Sequence, residues 1–311
     1  MKGYGPLDPL KSPRFAGIST FLRLPHVTDL KGVDVAVIGL PFDTGVTFRA
    51  GARFGPKAIR EGSLALRPNF NPAQRVAVFE HLSAVDYGDA PVVPGFIDRS
   101  MDSMTAALRP IHDTGVVPIA FGGDHSVLLA ELRAAAAVHG PLALVHFDAH
   151  QDTWDQYFGE KFTHGTIVRR AVEEGLIDPT RSTQMGMRGG LYGPGDYDES
   201  REMGFTLIPW EDLAQLGSGA VEAAVVRATG KAFLTFDIDF VDPAFAPGTG
   251  TPECGGPSSM QALALVRACR GLDIVAADVV EVLPDLDVSH LTATLAATVA
   301  NEILALVACL R

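Results

Sequence analysis

The sequence predicts an α/β fold, a three-layer sandwich in which a parallel sheet of about eight strands lies between helices. Three observations predict it. Short runs rich in Val, Ile and Phe lack polar alternation, as strands buried on both faces do. Segments of helical periodicity separate these runs, and right-handed strand–helix–strand crossovers make the sheet parallel. The 311 residues are 47% hydrophobic and 20% charged, which supplies a large core and excludes a disordered chain.

The strong strand runs are, in order, 33–40, 116–121, 142–147, 232–236 and 274–280. Weaker runs at 82–87, 183–187 and 206–208 complete the sheet. Helical periodicity covers 57–66, 101–112, 127–137, 166–174, 211–228, 260–270 and 291–308. The most apolar stretch, 291–310, is interrupted by Asn301, Glu302 and several Thr residues, which suits a buried helix and not a membrane span. The Gly- and Pro-rich passages 192–196 and 246–257 read as functional loops of one domain covering 1–311, with 1–30 as an N-terminal arm.

Twenty-five Lys and Arg against 37 Asp and Glu give a net charge of −12, and no basic cluster tracks a phosphate backbone. Nucleic acid and membrane are therefore excluded as partners, while a small cationic molecule suits the charge. Cys254, Cys269 and Cys309 lack C-x-x-C spacing, so neither a disulfide framework nor a thiolate zinc cage is written here. A cytoplasmic location is expected, because the Pro-rich first thirty residues carry no signal-peptide core.

Four strand runs end in chemistry-bearing residues. Run 116–121 leads into Gly122-Gly123-Asp124-His125-Ser126, and run 142–147 into Asp148-Ala149-His150-Gln151-Asp152. Run 232–236 ends in Asp237-Ile238-Asp239, and run 274–280 in Glu281. The carboxyl ends of parallel strands open on one edge, where ligands bind in open α/β sheets, so these residues belong to one site. Alternation in an extended chain points Asp148, His150 and Asp152 the same way, and likewise Asp237 and Asp239. With His125 the set has four carboxylates and two imidazoles, which implies two divalent cations. Such a set suits Mn²⁺ better than zinc, with Ni²⁺, Co²⁺ or Fe²⁺ as alternatives. Singly, His125 or either Asp at 237 and 239 reads as a helix cap or turn residue; together, their spacing favours metal.

These motifs resemble those of the ureohydrolase family, which includes arginase, agmatinase and guanidinobutyrase. Gly122-Gly123-Asp124-His125-Ser126, His146-Phe147-Asp148-Ala149-His150-Gln151-Asp152 and Phe236-Asp237-Ile238-Asp239 match its three metal motifs in order, and Val280-Glu281-Val282 begins its fourth block. Gly51-Ala52-Arg53-Phe54-Gly55-Pro56 and the passage from Asp242 to Pro252 extend the likeness over nearly the whole chain, nearest to the agmatinase branch. The resemblance implies an arginase-like sheet and two Mn²⁺ ions. It places one ion on His125, Asp148, Asp152 and Asp237, and the other on Asp148, His150, Asp237 and Asp239, with Asp148 and Asp237 bridging. It implies that His164 shuttles a proton, that Glu281 grips a guanidinium, and that subunits assemble as a homo-oligomer, a trimer or hexamer.

The implied reaction is hydrolysis of a guanidino compound to urea and an amine. Two cations sharing one water lower its pKa toward neutrality. Glu281 would orient the guanidinium through paired charge-assisted hydrogen bonds, and His164 would relay the proton that the leaving amine needs. Trp154, Tyr157 and Asp155, just after the second metal motif, offer cation–π and ionic contact to an ammonium tail, so agmatine, yielding putrescine, is the expected substrate. Gln151, Trp154 and Ala50 depart from the usual agmatinase pattern, which keeps guanidinobutyrase, or hydrolysis of another small guanidine, as the alternative. A deacetylase-like metal hydrolase is disfavoured because the chain has no adjacent histidines, and a non-catalytic subunit because every expected site residue is present.

Overall fold

The computed structural model describes residues 3–311. Its strands are β1 Val35–Leu40, β2 Ala84–Asp89, β3 Val117–Gly122, β4 Ala143–Phe147, β5 Thr183–Met187, β6 Thr206–Pro209, β7 Ala232–Asp237 and β8 Ile274–Val280. Among the described residues these eight form one parallel sheet, in the order β2-β1-β3-β8-β7-β4-β5-β6. The helices are α1 Gly55–Ser63, α2 Val78–His81, α3 Ile97–Asp113, α4 Leu128–His139, α5 Ile167–Glu173, α6 Asp196–Glu202, α7 Trp210–Leu216, α8 Ser218–Arg227, α9 Ser259–Ala268 and α10 Leu291–Ala308. The expected three layers and eight strands are present.

Strand alternation divides the core in two. Val35, Val37, Ile119 and Phe121 face α1, α8, α9 and α10, whereas Ala36, Ile38, Leu40 and Ala120 face α3, α4 and α5. Each sheet face is thus covered by helices, which is why the strand runs lack polar alternation. Helix α10 has a mean hydropathy of 1.7, long and apolar enough to cross a membrane, yet 78% of it is buried inside the fold. Its interruption has a reason: buried Glu302 accepts from Asn71 Nδ2 at 2.9 Å and Gln74 Nε2 at 2.7 Å, and pairs with Arg267 at 2.6 Å.

Two helical expectations change. The periodic segment 211–228 is two helices, α7 and α8, because Gly217 between them takes φ 59°, where a right-handed helix cannot continue. Helix α6 begins at Asp196, inside the passage 192–196 expected to be a loop, and its first turn carries Asp196, Asp198 and Glu199, which complement the positive helix end. The N-terminal segment lies along edge strand β2, where the Ala84 and Asp86 amides donate to Tyr4 and Pro25 carbonyls at 3.0 Å. Phe21, Leu22 and Leu24 anchor it in the core.

One polar row crosses the middle of this sheet. Gln184 on β5, His146 on β4, Thr235 on β7 and Asp278 on β8 are register partners in turn, and all are buried. Register partners on parallel strands share a face, so these four line up just beneath the strand ends.

Candidate metal centre

Strands β3, β8, β7 and β4 are neighbours at the centre of the sheet, which brings all four motif-bearing ends to one edge. The first Gly-Gly turn has a steric cause, since a Cβ on Gly123 would collide with the Phe42 carbonyl. Beyond the strands, one device recurs. Asp124 Oδ1 accepts from the Ser126 amide at 3.0 Å, Asp148 Oδ1 from the His150 amide at 2.6 Å and Asp237 Oδ1 from the Asp239 amide at 2.8 Å. Each motif is an Asp-anchored turn.

This corrects the alternation argument. Strand β4 ends at Phe147, and Asp152 has φ 54°, so 148–152 is not extended. The side chains converge because the carboxylates fold the chain back on itself. Asp152 and Glu281, with φ 63°, both hold the left-handed backbone that non-glycine residues rarely adopt, a strain that clusters at functional sites.

The six expected ligands come together in two adjoining groups. His125 Nδ1 lies 3.1 Å from Asp148 Oδ2, 2.9 Å from Asp152 Oδ2 and 3.4 Å from Asp237 Oδ2. His150 Nδ1 lies 3.4 Å from Asp148 Oδ1 and 3.1 Å from Asp239 Oδ2. Asp148 belongs to both groups, one oxygen to each. Burial, reinforced by neighbouring carboxylates, pushes Asp237 well up; burial likewise raises Asp239, with Asp148 adding to it. Burial also acts to raise Asp148, but the surrounding imidazoles, with His146 hydrogen-bonded to Oδ2, outweigh it and hold that carboxyl well below its usual range. Among the described residues, buried His125 Nδ1 has no hydrogen bond of good geometry although three carboxylates face it. A donor set so rich in negative charge, with an imidazole nitrogen turned into it, fits divalent cations.

Sequence reasoning passed over His146 as a site residue. Its Nε2 lies 2.8 Å from Asp148 Oδ2, while Gln184 Nε2 donates to its Nδ1 at 3.1 Å and to the Gln151 carbonyl at 2.6 Å. With Nδ1 accepting, the ring proton sits on Nε2 and is given to Asp148. His146 therefore orients a ligand and is not itself one. Arg188 was also missed; buried, it donates to the carbonyls of Asp239, Phe240 and Glu253, tying the 246–257 loop to the end of β7.

His164 and Glu281 meet beside this cluster. His164 Nδ1 is 2.8 Å from Glu281 Oε1, which also accepts from the His125 amide at 2.9 Å. Burial acts to lower His164, but the Glu281 carboxylate outweighs it and raises the imidazole to about 9. The Thr47 amide donates to Nε2 at 3.0 Å, opposing a second ring proton there, and the Thr47 hydroxyl lies 2.8 Å from the same nitrogen. The two sides of the ring are thus pulled in opposite directions: the Glu281 carboxylate favours a doubly protonated ring, and the Thr47 amide favours a bare Nε2. Glu281 Oε2 is buried with no hydrogen-bond partner among the described residues.

A cavity of about 360 Å³ opens over the cluster, lined by His150, Asp152, His164, Asp237 and Asp239 at its base. Trp154, Tyr157 and Tyr192 form one wall, packed edge-to-face with centroids 5.6–5.8 Å apart. Asp155 is not brought there; it pairs with Arg170 at 2.8 Å on the outer surface. The sequence reading missed Arg49 and Glu253 on the cavity wall. Arg49 rests 4.8 Å over the Phe48 ring and has no carboxylate partner among the described residues.

Residues 33–306 match the family model described as the arginase family. The chain is 48% identical to a guanidinopropionase of Pseudomonas aeruginosa, over 97% of this chain and 96% of that protein. It is 43% identical to a mitochondrial agmatinase of Gallus gallus, over 94% and 86%. A solved structure of the proclavaminate amidinohydrolase of Streptomyces clavuligerus superposes with a TM-score of 0.91 at 39% identity, covering 96% of this chain and all of that one.

Proposed function

Because the chain belongs to the arginase family of amidinohydrolases, we propose that it hydrolyses a small guanidino compound to urea and an amine at a binuclear metal centre, with an ω-guanidino acid as preferred substrate. The observation that carries the metal reading is Asp148, whose two oxygens serve separate imidazole-bearing groups. His125, Asp148, Asp152 and Asp237 would hold one ion, and Asp148, His150, Asp237 and Asp239 the other. When bound, the two cations supply Lewis acidity and lower the pKa of a shared water; the oxygen-rich set suits Mn²⁺.

The chain's own residues do the rest. Glu281 Oε2, already dehydrated and unpaired, accepts one guanidinium N–H and sets the orientation of the planar group. As the bond from the guanidine carbon to the substituted nitrogen breaks, the water oxygen stays on carbon as urea and that nitrogen needs a proton. His164 supplies it from Nε2, and the Thr47 hydroxyl beside that atom links it to the cavity.

The tail is chosen at the far wall. Arg49 is, among the described residues, the one Lys or Arg side chain lining the cavity, and it is unpaired, so it favours a carboxylate tail. The similarity to a guanidinopropionase supports the same reading. Agmatine is the second reading, favoured by the Trp154–Tyr157–Tyr192 wall and by Glu253. Urea release from 3-guanidinopropionate, 4-guanidinobutyrate, agmatine and arginine, with Mn²⁺ supplied, separates the two. The acids should be strongly preferred, and Arg49→Met should lower kcat/KM for them by roughly 10- to 150-fold, the worth of a hydrogen bond to a charged group, while sparing agmatine. A strong preference for agmatine rejects the tail reading but keeps the class. Urea from none rejects the class.

A further inference from the structure

Between α4 and β8, two buried carboxyl groups lie side by side, and neither pairs with a Lys or Arg among the described residues. Glu131 projects from α4, and Asp278 lies in the middle of β8; both are fully enclosed. Both Glu131 oxygens and Asp278 Oδ2 accept from no donor group among the described residues; burial and the Asp278 carboxyl beside it hold Glu131 well above its usual range, and burial raises Asp278. Two carboxyls at that distance from water cannot both ionise, so they share a proton.

The direction of the next bonds follows. Asp278 Oδ1 accepts from the Phe236 amide at 3.1 Å and from the Thr235 hydroxyl at 2.7 Å, so Asp278 is the acceptor of the pair and Glu131 the donor. Thr235 has one hydroxyl hydrogen, committed to Asp278. Its contact with His125 Nε2 at 2.9 Å therefore requires the ring proton to sit on Nε2. With that proton fixed on Nε2, Nδ1 is the nitrogen available to a metal ion, facing Asp148, Asp152 and Asp237.

We propose that Glu131 and Asp278 are positioning residues for the metal centre, acting through Thr235 to hold His125 in the tautomer that offers Nδ1 as a ligand. The inference rests on the binuclear reading above. Without the Glu131 donor, Asp278 keeps two hydrogen bonds in an apolar surround and gains from taking a proton itself. Protonated, it donates to Thr235, the hydroxyl turns toward His125 Nε2, and the ring proton moves to Nδ1. The chain then runs backwards and the ligand is lost.

Mn²⁺ binding to the metal-free protein, followed by isothermal titration, tests this without reference to turnover. The wild type should bind two ions. Glu131→Leu and Thr235→Val should weaken one of them by ten- to a hundredfold, the usual consequence of losing a group that orients a metal-binding histidine, and leave the other within about threefold. Glu131→Gln, whose amide still donates to Asp278, and Thr235→Ser, which keeps the hydroxyl, should stay near wild type. Thermal melts of the metal-free variants check that each is folded. A wild type that binds no Mn²⁺ overturns the binuclear reading. A wild type that binds two ions, with Glu131→Leu and Thr235→Val unchanged, overturns the positioning role alone, and so does a Glu131→Gln as weak as Glu131→Leu.

Discussion

Glu281→Gln keeps the size of the side chain and removes only its charge. The sequence motif implied two charge-assisted bonds from this residue to a guanidinium, but one carboxylate oxygen is already spoken for. Oε1 accepts from the His125 amide at 2.9 Å and pairs with His164 at 2.8 Å, which leaves Oε2 for the substrate. One hydrogen bond to a charged group is worth about 1.5–3 kcal/mol, so kcat/KM should fall roughly 10- to 150-fold, and not by the square of that factor.

The same change reaches His164. Burial alone would lower this imidazole; it stands at about 9 because the Glu281 carboxylate outweighs burial. Removing the charge leaves burial unopposed, so the pKa falls. A general acid must be protonated to act, and the alkaline limb of kcat/KM should therefore move to lower pH in Glu281→Gln. Urea release measured against pH, with metal content determined on the same preparation, reads both effects. A near wild-type kcat/KM with an unmoved alkaline limb refutes the reasoning, and loss of one ion along with the activity would make Glu281 a ligand.

Asp148→Ala removes the carboxylate common to both groups and should lose both ions and nearly all activity; elemental analysis finding two tightly held ions would contradict the shared assignment. His112 gives a pH dependence of stability unrelated to the site. Burial, with His139 adding to it, lowers this core histidine from 6.5 to about 4, so unfolding takes up a proton between those values. Its contribution is complete above pH 6.5 and declines as pH falls, by about 2 kcal/mol between pH 7 and 5. Urea unfolding at both pH values should show that decline reduced in His112→Leu, and an equal decline in the two proteins would remove His112 as its source.

The fold was legible because its two signals are strong. Buried parallel strands carry no polar alternation, so 33–40, 116–121 and 274–280 stand out, and each was found to within two residues. What misled was the helix 211–228. Its periodicity continues across Gly217, and a break of one residue leaves the apolar spacing nearly intact while the backbone reverses its φ. Similarly, D-x-H and D-x-D look like alternation along a strand, since a turn anchored by an Asp side chain needs the same spacing of two. The two geometries share a pattern and differ only in where the backbone hydrogen bonds go.

The histidines show where local reading stops. Asp and His at the ends of apolar runs are conspicuous, so the metal donors were identifiable one motif at a time. Which nitrogen of each ring is free is a different matter, because it depends on what holds the other nitrogen. His125 is held by Thr235, His146 by Gln184 and His164 by Thr47, from strands or loops 110, 38 and 117 residues away. Thr235 and Gln184 are polar residues inside runs that otherwise read as core, and their role follows from register with a neighbouring strand. The central order β3-β8-β7-β4 is far from sequential, so no local pattern pairs Thr235 with Asp278 or His146 with Gln184. Two histidines of similar burial, each beside Asp148, are thereby given opposite parts: His125 has a proton committed to Thr235 on Nε2 and presents Nδ1 to the carboxylates, and His146 gives its Nε2 proton to Asp148.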